Sequence, residues 1–335
     1  MKNFVLIFLI LTTGSAFAKN AAETFILRGG LSPISLEELT YDEEGLKIMW
    51  WNIGCSSTRG LKKLSDSDRS SIDPQNQWTN LKLLVNSERL IPDILILGEY
   101  CPSNFDDRIY KEVKSKYKNV YRLNKSNPLF RIRNGLRVFS KYKIENIQEK
   151  VLNAETFVDT ELMRSCAADV KKRNPKSFGE KKYWNRPKIS FTVEHNKRNY
   201  KIAPVHLANP WAFVKSCAGL WSTPGIIKHG VENANFVQAE QLVQSFSESD
   251  STVLIGDFNA PKSILGGTSN SYRILSESFG PSVIELEDYT YSDPRRNFPH
   301  YSIDHAFVSG DINIKRGVVL PFAGSDHLPI YIVID

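Results

Sequence analysis

Short runs of apolar and β-branched residues recur along almost the whole chain, and this feature constrains the fold most. Eight runs stand out: "LKIMWW" (46–51), "DILILG" (93–98), "GLRVFS" (135–140), "KISFTVEH" (188–195), "YKIAPVH" (200–206), "STVLIGD" (251–257), "IDHAFVS" (303–309) and "LPIYIVI" (328–334). Runs of this length and composition are typical of strands, and several are apolar enough for burial on both faces. The chain is therefore expected to be rich in β-sheet.

Two helical patterns lie between these runs. One is the recurrence of Trp78, Leu81, Leu84 and Val85 at helical spacing, and the other is an apolar stripe over residues 236–246. Many strands with few helices predict an α/β fold, namely a four-layer α/β/β/α sandwich of two packed mixed β-sheets with helices on the outer faces. With no internal repeat or clear linker, residues 19–335 are expected to form a single domain with insertions at 151–187 and 210–232.

The first eighteen residues have the pattern of an export signal. Lys2 is followed by a short apolar run and then by Ala16-Phe17-Ala18, which matches a signal-peptide cleavage site. We expect residues 1–18 to be a signal peptide and the mature protein to be secreted or periplasmic. The apolar run is too short for a permanent bilayer span, so we expect no stable membrane anchor. We also expect a monomer.

Positive charge is concentrated in two stretches that also contain aromatic residues. Residues 111–143 hold eleven Lys or Arg and one acid, and residues 171–188 hold eight basic residues and one acid. A charge run can simply be solvated surface. The alternative interpretation is a binding surface for a polyanion, which the interleaved aromatic residues favour.

Four cysteines, Cys55, Cys101, Cys166 and Cys217, all fall after the signal segment. An even number of cysteines in an exported protein indicates disulfides, and the sequence permits three pairings. There is no C-x-x-C pair, so a structural zinc site is not predicted.

Polar and ionisable residues cluster where the predicted strands begin or end. Any one of them could be a turn residue, a helix cap or a buried structural group. Asp257 and Asn259, for example, could form a turn, or could point the same way because side chains alternate along an extended backbone. The cluster as a whole predicts a functional site, and it comprises Asn52, Glu99, His206, Asn209, Asp257, Asn259, Asp304, Asp326 and His327.

Several of these residues lie in motifs that, taken in order, resemble those of the endonuclease/exonuclease/phosphatase superfamily of deoxyribonuclease I. The motifs are "WWNIG" near residue 50, then "GDFNA", "IDHAFVS" and "GSDHLPI". The resemblance covers almost all of the chain after residue 49. It implies the four-layer sandwich, an active site along one edge of the sheets, and hydrolysis of phosphate esters with Mg²⁺ (or Mn²⁺ or Ca²⁺).

The resemblance also implies roles for the metal and the catalytic base. Glu99 would be the principal metal carboxylate, with Asn52 and Asp326 close by. His327 would take a proton from the attacking water, and Asp304 would orient its imidazole. This division suits the chemistry, because hard oxygen ligands suit Mg²⁺ and histidine titrates near neutral pH.

The remaining roles concern the phosphate. Asp257 and Asn259 would position the water and hold the phosphoryl oxygens. His206 would bind phosphate or protonate the leaving oxygen, with Asn209 assisting.

One position departs from the deoxyribonuclease I pattern. An acid that supports the leaving-group histidine is replaced here by Arg133 and Asn134. Asn134 could orient His206 but would stabilise its charge less well, and Arg133 could contact the substrate.

The resemblance also bears on the disulfides. If Asn52 and Glu99 meet at one metal, their strands end side by side, which favours Cys55–Cys101 and leaves Cys166–Cys217 as the second pair.

Nucleic acid is the predicted substrate, with DNA favoured over RNA, because basic surface binds phosphates without regard to sequence. A lipid phosphodiesterase is the alternative, since "NPWAFVKSCAGLW" could place Trp211, Phe213 and Trp221 at a membrane interface. A binding module without activity is the third hypothesis, which the complete set of polar residues disfavours.

Overall fold

The computed structural model describes residues 44–54, 72–100, 106–123, 135–152, 186–208, 224–246, 251–263, 268–284, 289–292 and 300–335. All eight predicted strands are present within these ranges. The strands are β1 (Leu46–Asn52), β2 (Ile94–Gly98), β3 (Asn119–Arg122), β4 (Arg137–Ser140), β5 (Glu145–Leu152), β6 (Arg186–His195), β7 (Arg198–His206), β8 (Thr252–Asp257), β9 (Asp304–Ser309), β10 (Ile314–Val319) and β11 (Ile330–Ile334).

These strands form two mixed sheets. The first sheet has the order β10-β11-β1-β2-β4-β3, and the second has the order β5-β6-β7-β8-β9. Parallel pairs lie at the centre of each sheet, β1 with β2 in the first and β7 with β8 in the second. The carboxyl ends of these four strands carry most of the polar residues singled out above.

Within the ranges given above, four helices cover the outer faces of the sheets. They are α1 (Pro74–Asn86), α2 (Asp106–Lys116), α3 (Pro224–Ser245) and α4 (Asn270–Phe279). Helix α1 begins where sequence rules predict, because Asp73 accepts a hydrogen bond from the Gln75 N–H and Pro74 occupies the first turn. Helix α4 begins in the same way at Ser269, whose side chain accepts from the Tyr272 N–H.

Three apolar layers hold the sandwich together. The central layer lies between the sheets and includes Ile48, Trp50, Phe191 and Ile255. A second layer lies between the first sheet and helices α1 and α2, and a third lies between the second sheet and helices α3 and α4. The predicted four-layer α/β/β/α sandwich is therefore confirmed.

Among the elements of the described residues, the sequence prediction missed three strands, β3, β5 and β10, and two helices, α2 and α4. Strand β5 is an edge strand whose residues are mostly exposed, so its sequence "ENIQEKVL" carries no apolar signal. The two expected insertions also need correction, because residues 151–152 belong to β5, 186–187 to β6 and 224–232 to α3.

The signal segment and all four cysteines lie outside the described residues, so export and the disulfides Cys55–Cys101 and Cys166–Cys217 stay predictions. No helix in the described part of the chain combines the length and hydropathy needed to cross a bilayer.

Candidate active site

The candidate site lies where strand ends of the two sheets face each other. In the first sheet, Asn52 at the end of β1 lies opposite Gly98 at the end of β2, and Glu99 follows directly. In the second sheet, His206 at the end of β7 lies opposite Asp257 at the end of β8. Asp304 begins β9 on the other side of Asp257. Strand register therefore brings residues distant in sequence to one edge.

Asp304 and His327 form a buried hydrogen-bonded pair. His327 Nδ1 lies 2.8 Å from Asp304 Oδ2, and the other carboxylate oxygen accepts a hydrogen bond of 3.0 Å from the Trp50 indole Nε1. Because Asp304 opens one predicted strand and His327 directly precedes another, the sequence favours a pair presented by two neighbouring strands. In the structure, Asp304 belongs to the second sheet and His327 precedes β11 of the first, so the pair bridges the two sheets.

The free end of the His327 ring faces a second carboxylate. His327 Nε2 lies 3.8 Å from Asp257 Oδ2 and 3.4 Å from Asn52 Nδ2. Asn52 Nδ2 also donates a hydrogen bond of 3.0 Å to Asp257 Oδ2. Since Asp304 occupies Nδ1, the proton-accepting position of a neutral imidazole would be Nε2, inside the site.

The backbone around His327 is also held in place. Ser325 Oγ accepts from the His327 N–H and donates to the Asn52 carbonyl, at 3.2 and 2.7 Å. Trp51 Nε1 donates to the His327 carbonyl at 3.1 Å, and the ring of Tyr291 meets the imidazole edge to face at 4.9 Å. The imidazole thus has a fixed position before any substrate binds.

Glu99 and His206 lie beside this pair in a pocket that also contains Arg186. His206 Nε2 is 3.7 Å from Glu99 Oε1 and 3.6 Å from Asp257 Oδ2. The Glu99 side chain keeps 28% of its surface exposed, whereas that of Asp257 keeps 2%. Trp50 also lines this pocket. Glu99 is therefore more accessible to an incoming ion or substrate than Asp257.

Burial, together with the charges of neighbouring groups, shifts the pKa values in the site. Burial and the charge of Asp326 raise the pKa of Glu99. Burial, opposed by His327, raises the pKa of Asp257 to about 8. Burial disfavours the charged form of His327, but the carboxylates of Asp304 and Asp257 outweigh it and raise its pKa to about 10.

The pKa of His206 is shifted in the opposite direction to that of His327. Although two carboxylate oxygens lie within 4 Å, burial and the positive charges of Arg186 and His327 lower the pKa of His206 well below its usual value. His206 is consequently neutral around pH 7.

The segment from Asp257 to Asn259 is a turn, which is the first of the two explanations offered for it. Strand β8 ends at Asp257, and Asn259 has a left-handed backbone with φ of 48°. The expectation that Asp257 and Asn259 point the same way by strand alternation is therefore wrong, because it requires an extended chain through Asn259. Instead Asp257 Oδ1 accepts from the Asn259 N–H at 2.8 Å, which is turn chemistry, and Asn259 Nδ2 donates to the Leu207 carbonyl at 3.1 Å.

His305, next to Asp304, points away from the site. It packs against Phe258, Tyr272 and Phe307 in the outer layer, and its Nε2 lies 2.9 Å from the Ala260 carbonyl. Alternation along β9 predicts this opposite face.

The charges of the site fit a bound cation. Asp257, Asp304 and His327 each offer a ligand atom, and these atoms lie within 4.8 Å of one another. Both oxygens of Asp304, however, already accept hydrogen bonds. Glu99 is more open, and the nearby charge of Asp326 that raises its pKa would be offset by a divalent ion.

Sequence reasoning missed the buried amides that hold the loops of the site. In α3, Asn235 Nδ2 donates to the carbonyls of Ala208 and Phe258 at 2.9 and 2.8 Å. Gln238, one turn later, accepts from the Ala208 N–H at 2.8 Å. A polar pair on the buried side of an otherwise apolar stripe was the signal that could have revealed them.

Two buried amides of helix α1 hold the site loops of the first sheet in the same way. Gln77 donates to the Ile53 carbonyl after β1, and Asn80 donates to the Ala323 carbonyl before His327, at 3.1 and 3.0 Å. Both helix layers therefore fix the loops that present the site.

Seven residues assigned from the sequence lie outside the described residues. They are Asn209, Arg133 and Asn134 for the substrate, and the four cysteines Cys55, Cys101, Cys166 and Cys217. The structure brings together all the others: Asn52, Glu99, His206, Asp257, Asn259, Asp304, Asp326 and His327.

Comparison with known proteins supports the family resemblance seen in the sequence. No curated protein matches the chain in sequence. Among solved structures, an endonuclease/exonuclease/phosphatase from Beutenbergia cavernae covers 87% of this chain and 72% of its own, at 14% identity and a TM-score of 0.53. A family protein from Bacteroides thetaiotaomicron covers 88% and 98%, at 14% identity and a TM-score of 0.53.

The human Nocturnin catalytic domain with bound sulfate anion covers 87% of this chain and 94% of its own, at 16% identity and a TM-score of 0.51. At these identities the likeness shows the fold. The sequence model of the Endonuclease/Exonuclease/phosphatase family matches residues 49–327, which span every described residue of the site. The chain therefore belongs to the endonuclease/exonuclease/phosphatase family, whose members hydrolyse phosphoester bonds.

Proposed function

We propose that the protein is a divalent-metal-dependent phosphodiesterase that hydrolyses nucleic acid, with DNA as the favoured substrate. The observation that carries the proposal is the Asp304–His327 pair, whose Nδ1–Oδ2 distance is 2.8 Å and whose Nε2 faces Asp257 and Asn52. Such an arrangement holds a base with its free nitrogen directed into the site.

In this proposal His327 takes the proton from the attacking water at Nε2. The base is the neutral ring, and against the effect of burial Asp304 and Asp257 raise the pKa of His327 to about 10, so the fraction of neutral base, and with it the turnover, should increase as the pH rises toward 10. The Asp304 carboxylate keeps the Nδ1–H tautomer and stabilises the imidazolium that forms. Asp257 lies 3.8 Å from Nε2 and would orient the water by accepting its second hydrogen. Burial of the carboxylates strengthens these interactions, because water does not screen them.

Glu99, Asn52 and Asp326 would hold the metal ion. The Glu99 side chain is 28% exposed, and Asp326, which is also only partly buried, lies close enough to raise the pKa of Glu99. When bound, a divalent ion supplies positive charge that stabilises the developing negative charge on phosphoryl oxygens. Mg²⁺ suits this set of oxygen ligands, and Mn²⁺ and Ca²⁺ share the preference.

Arg186 and His206 would bind the substrate phosphate. Arg186 carries a permanent charge beside Glu99 and His206, and both residues line the same pocket. Because His206 is neutral around pH 7, it suits donation of one N–H to a phosphoryl oxygen better than protonation of the leaving oxygen. Asn259 would act mainly by holding the loop, since its amide already bonds Leu207.

Charge favours nucleic acid as the substrate. The chain carries 43 Lys and Arg against 37 Asp and Glu, and the basic residues are concentrated at 111–143 and 171–188. A row of phosphates such as DNA binds to such surfaces through charge alone.

A substrate panel tests the proposal. The purified protein is incubated with plasmid DNA, RNA, sphingomyelin and a phosphoinositide, each with Mg²⁺, with Mn²⁺ and with EDTA. His327→Asn, prepared identically, controls for contaminating nucleases. We expect DNA cleavage that needs the metal and is lost in the variant. Cleavage of lipid but not nucleic acid would refute the choice of substrate, and no cleavage of any substrate would refute the activity.

A further inference from the structure

Trp50 is a fully buried tryptophan that reaches from one sheet to the other. It lies on β1 with its side chain in the central layer, and its indole Nε1 donates to Asp304 Oδ1 of the second sheet at 3.0 Å. The next residue, Trp51, points to the opposite layer and donates to the His327 backbone carbonyl. The two adjacent indoles therefore bond different parts of the same pair.

The indole fixes the orientation of the Asp304 carboxylate. One oxygen accepts from Trp50 and the other from His327 Nδ1, so rotation about the carboxyl bond would break both hydrogen bonds. The Asp304 N–H donates to Thr290 Oγ1 at 2.9 Å, which also fixes its backbone. With a donor on each side, the carboxylate must present its second oxygen to the imidazole.

The chain makes room for this indole at Gly98. A Cβ atom at Gly98 would lie 2.5 Å from Trp50 Cη2, which is closer than real contacts allow. Gly98 ends β2 directly before Glu99, and Trp50 lines the pocket with both residues. The indole of Trp50 thus requires a glycine at this position.

We propose that Trp50 is a positioning residue for the reaction: its indole N–H selects the Asp304 carboxylate orientation that holds His327 in the Nδ1–H tautomer. This inference rests on the proposed function, in which His327 is the base. Trp50 contacts neither the reacting water nor the phosphate in this account, and it acts through Asp304.

Kinetics of matched variants provide the first test. Trp50→Phe keeps an aromatic ring and removes the N–H, and Trp51→Phe does the same at the adjacent position. A hydrogen bond to a charged group corresponds to roughly 10-fold or more in an equilibrium. We expect kcat to fall about 10-fold in Trp50→Phe with KM nearly unchanged. In Trp51→Phe kcat should fall less, because that variant loses a bond to the His327 backbone and keeps both hydrogen bonds of the Asp304 carboxylate.

A double-mutant cycle separates positioning from general loss of structure. In Asp304→Asn one oxygen becomes an NH₂ group, so the amide can no longer accept from both donors. Adding Trp50→Phe to Asp304→Asn should then cost no further activity, whereas adding Trp51→Phe should have the same small effect as in the wild type. Equal, independent losses from Trp50→Phe in both backgrounds would overturn the proposal.

An NMR measurement keeps the test independent of activity. The chain has six tryptophans, so its indole N–H spectrum is simple. We assign the Trp50 signal from its contacts in the wild-type spectrum, and therefore do not need Trp50→Phe to fold. Asp304→Asn should move this signal and speed its hydrogen exchange, while the Trp51 signal changes less. An unmoved Trp50 signal would refute the coupling, whereas a moved signal in a protein without phosphodiesterase activity would refute the proposed function alone.

Discussion

Replacing His327 by asparagine or by alanine should separate its catalytic role from its structural one. The amide nitrogen of asparagine lies near the position of imidazole Nδ1, so His327→Asn can keep the hydrogen bond to Asp304. It loses Nε2, the atom 3.8 Å from Asp257 Oδ2. His327→Ala removes the whole imidazole, and with it both Nδ1 and Nε2.

The magnitudes follow from these contacts. Loss of a general base costs about 10²–10⁴-fold in rate, which is about 3–5 kcal/mol of activation free energy. Both variants should show this loss in kcat. Alanine additionally leaves Asp304 Oδ2 buried without its donor, which costs roughly 1–3 kcal/mol of unfolding free energy. Asparagine should cost much less stability than alanine.

The assay is metal-dependent cleavage of plasmid DNA for kcat, with urea unfolding followed by circular dichroism for stability. The two variants should share one kcat and differ in unfolding free energy. A folded His327→Asn protein with near-normal turnover would refute the role of Nε2. Equal stability of the two variants would refute the assigned strength of the Asp304 contact.

Three further predictions concern the metal, the loops and pH. Glu99→Gln should abolish most of the rise in melting temperature that Mg²⁺ produces in the wild type, as measured by thermal unfolding with and without the ion. Asn235→Leu leaves two buried carbonyls without donors and should lower the unfolding free energy by roughly 1–3 kcal/mol for each, as measured with urea. Burial lowers the pKa of His305 to about 4, below its unfolded value of about 6.5. The unfolding free energy contributed by the neutral, buried ring is therefore complete above pH 6.5, and about 3 kcal/mol of it is lost as the pH falls to 4. The drop in unfolding free energy between these two pH values should be smaller by that amount in His305→Gln, and an equal drop in both proteins would contradict the assignment.

The sequence predicted the strands that are buried on both faces, because such strands must be apolar throughout. Strand β2, "ILILG", is an example. Edge strands were not predicted because they need not be apolar. Strand β5 pairs with a neighbour on one side only and is largely exposed, so its sequence has no apolar face. The edge position is a property of the assembled sheet, which a local pattern does not contain.

The residues of the site were found from the sequence more readily than their contacts. Ordered motifs identified Asp304 and His327, since each lies at a strand boundary. That the pair bridges two sheets depends on how the sheets pack, which no spacing along the chain encodes. Trp50 was missed because a tryptophan in a buried strand is expected to serve only in the core. Asn235 was missed because it lies within a helix and not at the end of a strand. Their roles are visible only from the partner atoms, Asp304 Oδ1 and the carbonyls of two loops.

The packing of the two sheets and the alignment of the site depend on the same contacts. Along the inward face of β1 the side chains change from apolar to polar toward the end of the strand. Ile48 lies in the central layer, Trp50 donates to Asp304, and Asn52 donates to Asp257. A shift of one sheet over the other would therefore lengthen the bonds that orient the carboxylates before it opened the apolar core. Hydrogen bonds lose most of their strength with a small change in distance or angle, whereas apolar contacts tolerate it. The geometry of the reaction is consequently more sensitive to the packing of the sheets than the stability of the fold is.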